Sequence, residues 1–293
     1  MPGTNRIREV ITQRIAEALK NNFAPPSRPW SSDPNCGFPT NIVSKMKYRG
    51  VNPLLLGQTD FVSRWWGTYR QWQALGGQIR PGETSTRVIF YMAVEKETDD
   101  PLYLLRQYPV FNIEQVVGEK LDTHRPTPDA QGVLPDDACS VADNAIKATG
   151  ASIRFGGNQA FYAYPTGPAW PDHTGGDFIR CPHRRQFPDI RNWYATLFHE
   201  LAHWSEIRLG WNGSCGMGEL IAELTACYLS SELQLPQSED QSNHESYIQS
   251  WLQAMENDPK WIFQAAKQAD KATDFLLSFS RKPNALSPDS DAA

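Results

Sequence analysis

The chain has 293 residues, 40% hydrophobic and 21% charged, with 22 Pro and 20 Gly. That balance excludes a disordered or fibrous chain and is expected of a turn-rich globular protein long enough for two domains, each with its own core. Net charge is −5, divided between unlike halves: residues 1–125 carry 16 basic and 12 acidic side chains, the rest 12 and 21.

Five cysteines (Cys36, Cys139, Cys181, Cys215, Cys227) include no C-x-x-C pair. Their odd number and irregular spacing argue against a disulfide framework and for a reducing, cytoplasmic setting. The N-terminus has no signal-peptide core, and no run approaches the roughly 18 apolar residues of a membrane span, so no membrane partner is expected.

In chain order, Ile7, Val10, Ile11, Ile15, Ala18 and Leu19 recur at helical spacing and predict an amphipathic helix over 4–20. Residues 24–41 are rich in Pro, Ser and Asn and predict a loop. Thr68 and Gln71 have capping-box spacing ahead of a short helix that Gly76 and Gly77 should end. Residues 86–94 and 102–111 are rich in β-branched and aromatic residues and predict two strands around an acidic turn.

The proline-rich segment 123–137 reads as a linker, which makes 1–122 a first α+β domain. Beyond it the pattern predicts a helix ending at Gly150, strands at 151–155, 159–164 and 177–181, and helices at 190–209, 219–235, 244–256 and 260–279. A three-strand sheet backed by helices is the implied second domain, over 138–280, followed by a disordered tail over 281–293.

The phrase ATLFHELAHW carries the chemistry. On a helix His199 and His203 are one turn apart on one face and can aim at one cation, while Glu200 sits on the adjoining face as a candidate general base. Three fixed letters also arise by chance in apolar helices. A site is favoured because His and Glu inside such a helix are costly without a partner, and because a downstream segment, GELIAELTACYLSSEL, offers acids. Glu223 follows His203 by 20 residues and reads as the third ligand after a helix–turn–helix return. Glu219 reads as an orienting partner for one imidazole. Two His and one Glu leave a fourth position for water, as in a catalytic Zn2+ site; Mn2+ or another divalent ion also suits that set. Cys215 and Cys227 read as buried structural thiols, and Tyr162 and Tyr164 as packing residues.

In the basic half, Lys45, Lys47, Arg49, Arg64 and Arg70 interleave with Tyr48, Trp65, Trp66 and Tyr69. Cations suit phosphates and aromatic faces suit unpaired bases, so the mixture points to single-stranded DNA. The competing reading is that these aromatics are core, Trp72 among them.

The phrases KYRGVNPLLL, WWGTYRQWQALGGQIRPGE, VFNIEQVVG, IRFGGNQAFYAYP, YATLFHELAHW and ELIAELTACYLSSEL occur in this order, and together the chain from residue 4 to 280 resembles the ArdC antirestriction family and the related TraC N-terminal family. The resemblance implies an N-terminal single-stranded-DNA-binding domain and a C-terminal zincin-like metalloprotease fold of the gluzincin or SprT kind. It implies a plasmid-encoded protein that protects incoming conjugative DNA from host restriction, with transfer to the recipient cell. It places the ligands on His199, His203 and Glu223 and the base on Glu200, and it suggests a host restriction enzyme or another DNA-bound protein as partner. Two other readings stay open: a general cytosolic zinc metallopeptidase whose first domain selects protein substrates, and a binding protein that keeps the protease fold only as a scaffold.

Overall fold

A computed structural model describes residues 4–20, 33–94, 102–127, 136–164, 176–235 and 245–281. The expected tail beyond Arg281 and most of the expected linker lie outside those residues. The first helix, α1, runs Thr4–Lys20, followed by β1 (Thr40–Asn41), α2 (Asn52–Gly57), β2 (Trp65–Gly67) and α3 (Tyr69–Ala74). Strands β3 (Gln78–Ile79), β4 (Thr86–Val94), β5 (Leu102–Asn112) and β6 (Val116–Val117) complete the first unit.

Strands β4 and β5 form the predicted antiparallel pair, in register from Thr86 opposite Val110 to Val94 opposite Leu102. Two short strands extend it to the order β1-β2-β5-β4, with β1 parallel to β2 and β2 antiparallel to β5. Thus the end of the predicted loop supplies an edge strand. The sheet is covered on both faces: Val88 packs with Trp66 and Val110, whereas the adjacent Ile89 faces α2 and the helices beyond. Asn52 fixes α2 to the sheet, its side chain accepting from the Ile89 amide at 2.8 Å and donating to the Ile89 carbonyl at 2.9 Å. The capping box forms as expected: Thr68 N donates to Gln71 Oε1 (2.8 Å) and Gln71 N to Thr68 Oγ1 (3.3 Å). Gly76, at φ 80°, turns the chain out of α3.

The second unit contains α4 (Asp136–Ala148), β7 (Ile153–Phe155), β8 (Phe161–Ala163), β9 (Phe178–Cys181), α5 (Ile190–Arg208), α6 (Cys215–Glu232), α7 (Glu245–Asn257) and α8 (Trp261–Ser278). Its three strands lie in the order β7-β9-β8, β7 parallel and β8 antiparallel to β9, so β8 is an edge. Helix α6 starts four residues before the expected 219. Gly216 and Gly218, which read as turn residues, are helical, and the turn after α5 shrinks to a few residues beyond Gly210.

The two units share a core. Ile7, Ile11, Ile15 and Leu19 of α1 are buried in one cluster with Leu54 and Leu55 of α2, Leu220, Leu224 and Tyr228 of α6, Trp251 and Met255 of α7 and Ile262 of α8. Full burial of such a side chain contributes roughly 1.5–3 kcal/mol as an upper figure, so α1 stabilises the second unit. Val10, expected in the stripe, is 54% exposed, because the buried face narrows to positions four apart. A polar clasp adds to this: Lys47 pairs with Glu232, Arg49 with Asp274, and the Gly50 amide donates to Asp270. Arg281 also reaches Glu232, at 2.9 Å. Residues just before the undescribed part of the expected linker are tied back to the first unit, Thr127 N and Oγ1 both donating to Asp33 Oδ2 at 2.6 and 2.7 Å.

Candidate metal centre

Asp189 caps α5, its side chain accepting from the Arg191 amide at 2.8 Å. Trp193, Tyr194, Leu197, Phe198, Leu201, Ala202 and Trp204 bury nearly the whole helix circumference, which holds α5 between the sheet and α6. Within it the one-turn spacing brings the Nε2 atoms of His199 and His203 to 3.1 Å of each other. Beyond Leu209, Gly210 takes φ 67° and the Trp211 amide donates back to the Glu206 carbonyl at 2.9 Å, so the chain returns at once as α6.

That return decides which acid faces the imidazoles. Glu219 Oε2 lies 3.4 Å from His199 Nε2, and Glu219 Oε1 lies 3.7 Å from His203 Nε2. Glu223 instead meets the other side of the first ring, Oε1 to His199 Nδ1 at 3.0 Å. Against the expectation from spacing, Glu219 and not Glu223 therefore faces the two Nε2 atoms. Helix α6 begins a turn early and runs back along α5, which sets Glu219 opposite the His pair and carries Glu223 one turn past it. Glu206, which the sequence reading passed over, does for His203 what Glu223 does for His199: its Oε1 lies 2.9 Å from His203 Nδ1, and its Oε2 accepts from the Tyr164 hydroxyl at 2.7 Å. Its i, i+3 spacing from His203 was the available signal.

Gly218 makes this packing possible. A Cβ there would lie 3.1 Å from the Trp211 ring and 3.2 Å from Glu206 Oε1. The hydroxyls of both tyrosines have partners, Tyr162 donating to Asp177 Oδ2 at 2.7 Å. Asp177 is held in turn by Arg208, also at 2.7 Å. Cys215 opens α6 as an exposed thiol and Cys227 is half-buried, against the expectation that both are buried; all five cysteines are free.

The electrostatics suit a cation. Burial alone would depress the His199 imidazole, but the Glu223 charge and the hydrogen bonds the ring donates to Glu219 and Glu223 reverse this and push it up to about 10. The hydrogen bond from His199 holds the Glu219 carboxyl below its usual range, against the effect of burial. Burial raises Glu200, opposed by the charges of both imidazoles and by a hydrogen bond from the Tyr162 amide on the edge strand β8. Among the described residues His199, His203 and Glu219 form the group able to hold a metal, with donor atoms within 4.8 Å of one another. Metal–nitrogen bonds of about 2.0–2.1 Å in a tetrahedron separate ligands by roughly 3.3 Å, close to the Nε2 separation. With each Nδ1 occupied by a carboxylate, each Nε2 is turned to the shared space, and the residues fit a divalent ion.

The basic half is sorted by burial. Tyr48 and Trp66 are 4% and 0% exposed and pack in one cluster, so neither offers a face to a base; this corrects their assignment. Trp72 is core, as expected. Lys47 and Arg49 are engaged by Glu232 and Asp274. Lys45, Arg64 and Trp65 come together: the Lys45 ammonium is 4.4 Å and the Arg64 guanidinium 5.3 Å from the Trp65 ring centre. Trp65 is fixed by donation from Nε1 to Asn35 Oδ1 at 2.9 Å. Tyr69 and Arg70 are exposed on α3.

Comparison with known proteins agrees with both units. A family described as the N-terminal domain of anti-restriction factor ArdC matches residues 5–127, and one described as a zincin-like metallopeptidase matches residues 140–268. The DNA primase TraC of Escherichia coli is 32% identical over 308 residues, 94% of this chain and 27% of the primase, so the chain spans about a quarter of that relative. The metal-free crystal structure of antirestriction ArdC from plasmid R388 superposes with a TM-score of 0.72 at 30% identity, covering 93% of this chain and 97% of that one. Its Mn(II)-bound structure gives 0.71 at 32% identity, covering 94% and 99%. With such identity sustained along nearly the full length of both chains, the protein belongs to the ArdC antirestriction family and combines the ArdC N-terminal domain with a zincin-like domain.

Proposed function

We propose that this chain is a cytoplasmic, plasmid-borne antirestriction factor that binds single-stranded DNA, protects conjugatively transferred DNA from host restriction, and carries a divalent-metal centre for amide hydrolysis. The observation that carries the catalytic part is the convergence of His199, His203 and Glu219 beside a buried Glu200. The Mn(II)-bound ArdC structure supports a divalent ion, and the donor set suits zinc equally. When bound, such an ion polarises a carbonyl and makes water acidic enough to lose a proton near neutral pH. His199, His203 and Glu219 would hold it, while Glu223 and Glu206 keep the imidazoles oriented. Glu200, steered by the Tyr162 amide, accepts the proton of the attacking water and returns it to the departing amine. Tyr162 is part of the edge strand β8, so a substrate segment has an extended backbone beside it to align with.

The DNA part rests on the crowding of Lys45 and Arg64 at Trp65. Burial and the Arg64 charge lower the Lys45 ammonium together, and a phosphate placed between the two cations offsets their repulsion. The partner in this reading is a host restriction enzyme or another DNA-bound protein. Two measurements test this reading. Glu200→Gln should retain metal and lose cleavage; full cleavage by that variant removes Glu200 from the chemistry. Mobility shifts should favour single strands over duplex and weaken steeply with salt. Cleavage of unrelated proteins at a rate indifferent to DNA would favour a general metallopeptidase instead.

A further inference from the structure

We propose that Tyr164 is a positioning residue for the metal centre, an inference that rests on reading the site as one: its hydroxyl fixes the Glu206 carboxylate, and that carboxylate fixes the His203 ring. Glu206 is buried, at 6% exposure, and a carboxylate taken out of water is costly unless its oxygens find partners. Among the described residues it has two. Its Oε1 lies 2.9 Å from His203 Nδ1, and its Oε2 accepts from the Tyr164 hydroxyl at 2.7 Å. Helix α6 closes over Oε1 at Gly218, where a Cβ would lie 3.2 Å from it, and Tyr164 covers the other oxygen.

The nearby Asp177 shows what a purely structural acid looks like. It takes the Tyr162 hydroxyl at 2.7 Å and also Arg208 at 2.7 Å, and that guanidinium neutralises it. Glu206 receives a phenol and no guanidinium. A phenol is uncharged at neutral pH and gives one directed hydrogen bond, so the charge of Glu206 remains directed at the imidazole, where it holds Nδ1 as the donor and turns Nε2 to the shared space. Tyr164 arrives there one residue past the end of the edge strand β8, its ring centre 4.7 Å from that of Tyr162 and the two planes inclined by 61°. The Tyr162 amide bonds Glu200. Residues 162–164 thus reach both the candidate base and, through Glu206, a candidate ligand.

The test is Tyr164→Phe in the full chain, which removes one oxygen, keeps the ring beside Tyr162 and, at a residue 44% exposed, should leave the fold intact. Calorimetric titration with Zn2+ alone should show affinity about 10-fold weaker, the low end of the range for losing a partner behind a ligand. In proton NMR of the zinc-loaded protein, the His203 Nδ1–H should exchange with water faster while that of His199 keeps its wild-type rate, a selectivity that loss of packing alone does not produce. Added to Glu206→Gln, Tyr164→Phe should cost no further affinity, because both act on the same ring. Tyr194→Phe, which removes a hydroxyl on α5 bonded to Asp143 at 2.8 Å, is the control for stability and should leave zinc affinity unchanged. Wild-type affinity and exchange in Tyr164→Phe overturn this inference alone, as does an equal loss in Tyr194→Phe or a change shared by both rings. A wild type that binds neither Zn2+ nor Mn2+ overturns both this inference and the metal reading on which it rests.

Discussion

The metal centre and the basic half dispose their candidate residues in opposite ways. At the metal centre every candidate from the sequence lies within one small volume, on two antiparallel helices, and each imidazole is held on both edges. In the basic half nine candidates scatter: two are core, two hold the units together, and three gather at Trp65. Helical spacing fixes direction locally, so a motif on a helix arrives as a geometry. A motif spread over loops and short strands has its exposure set by whatever packs against it.

The largest expected effect divides adjacent tryptophans. Trp66→Ala should cost about 3–5 kcal/mol of stability, read by denaturant unfolding. Trp65→Ala should cost less stability but about 1–3 kcal/mol of single-strand affinity. The reverse pattern would break the division by burial. At the metal centre, Glu223→Gln should weaken metal binding about 10–100-fold, as for removal of an orienting partner, and Glu219→Gln should weaken it further. Calorimetric titration checks the order, and a greater loss at Glu223 would restore the assignment from spacing. Gly218→Ala should cost about 1–3 kcal/mol by pressing on Trp211 and Glu206 and should lower metal affinity through His203. A melt without change in either quantity would show that α6 has room there.

The smallest effect sharpens the contrast through pH. Burial first, then the nearby charges of Asp274 and Glu232, raise Asp270 to about 7, against the Gly50 amide and Arg49. An unfolded Asp releases its proton near 3.9. Between about pH 4 and 7 the folded state therefore binds more protons, and the contribution of Asp270 to stability falls as pH rises through that window. Asp270→Asn keeps an acceptor for the Gly50 amide and should flatten that slope, gaining about 1 kcal/mol above pH 7. Unfolding across pH measures it, and an unchanged slope would place the titration elsewhere.

Much of the element list was legible because periodicity reports burial along one element: α1, the β4–β5 pair, α5 and α8 fall within a few residues of expectation. The start of α6 was not, since Gly216 and Gly218 read as turn formers when only their neighbours are considered. Both are helical, and at Gly218 the missing side chain lets Trp211 and Glu206 pack closely against α6.

The sequence alone determined that His199, His203 and Glu200 share a helix and that an acid from the next helix is within reach, because one turn of α-helix is a fixed length. Tertiary structure decided which acid faces the pair, which aromatics of the basic half stay open, and that α1 closes a core with α6, α7 and α8. Those outcomes depend on where one element stops and on what covers it, quantities that no local spacing contains.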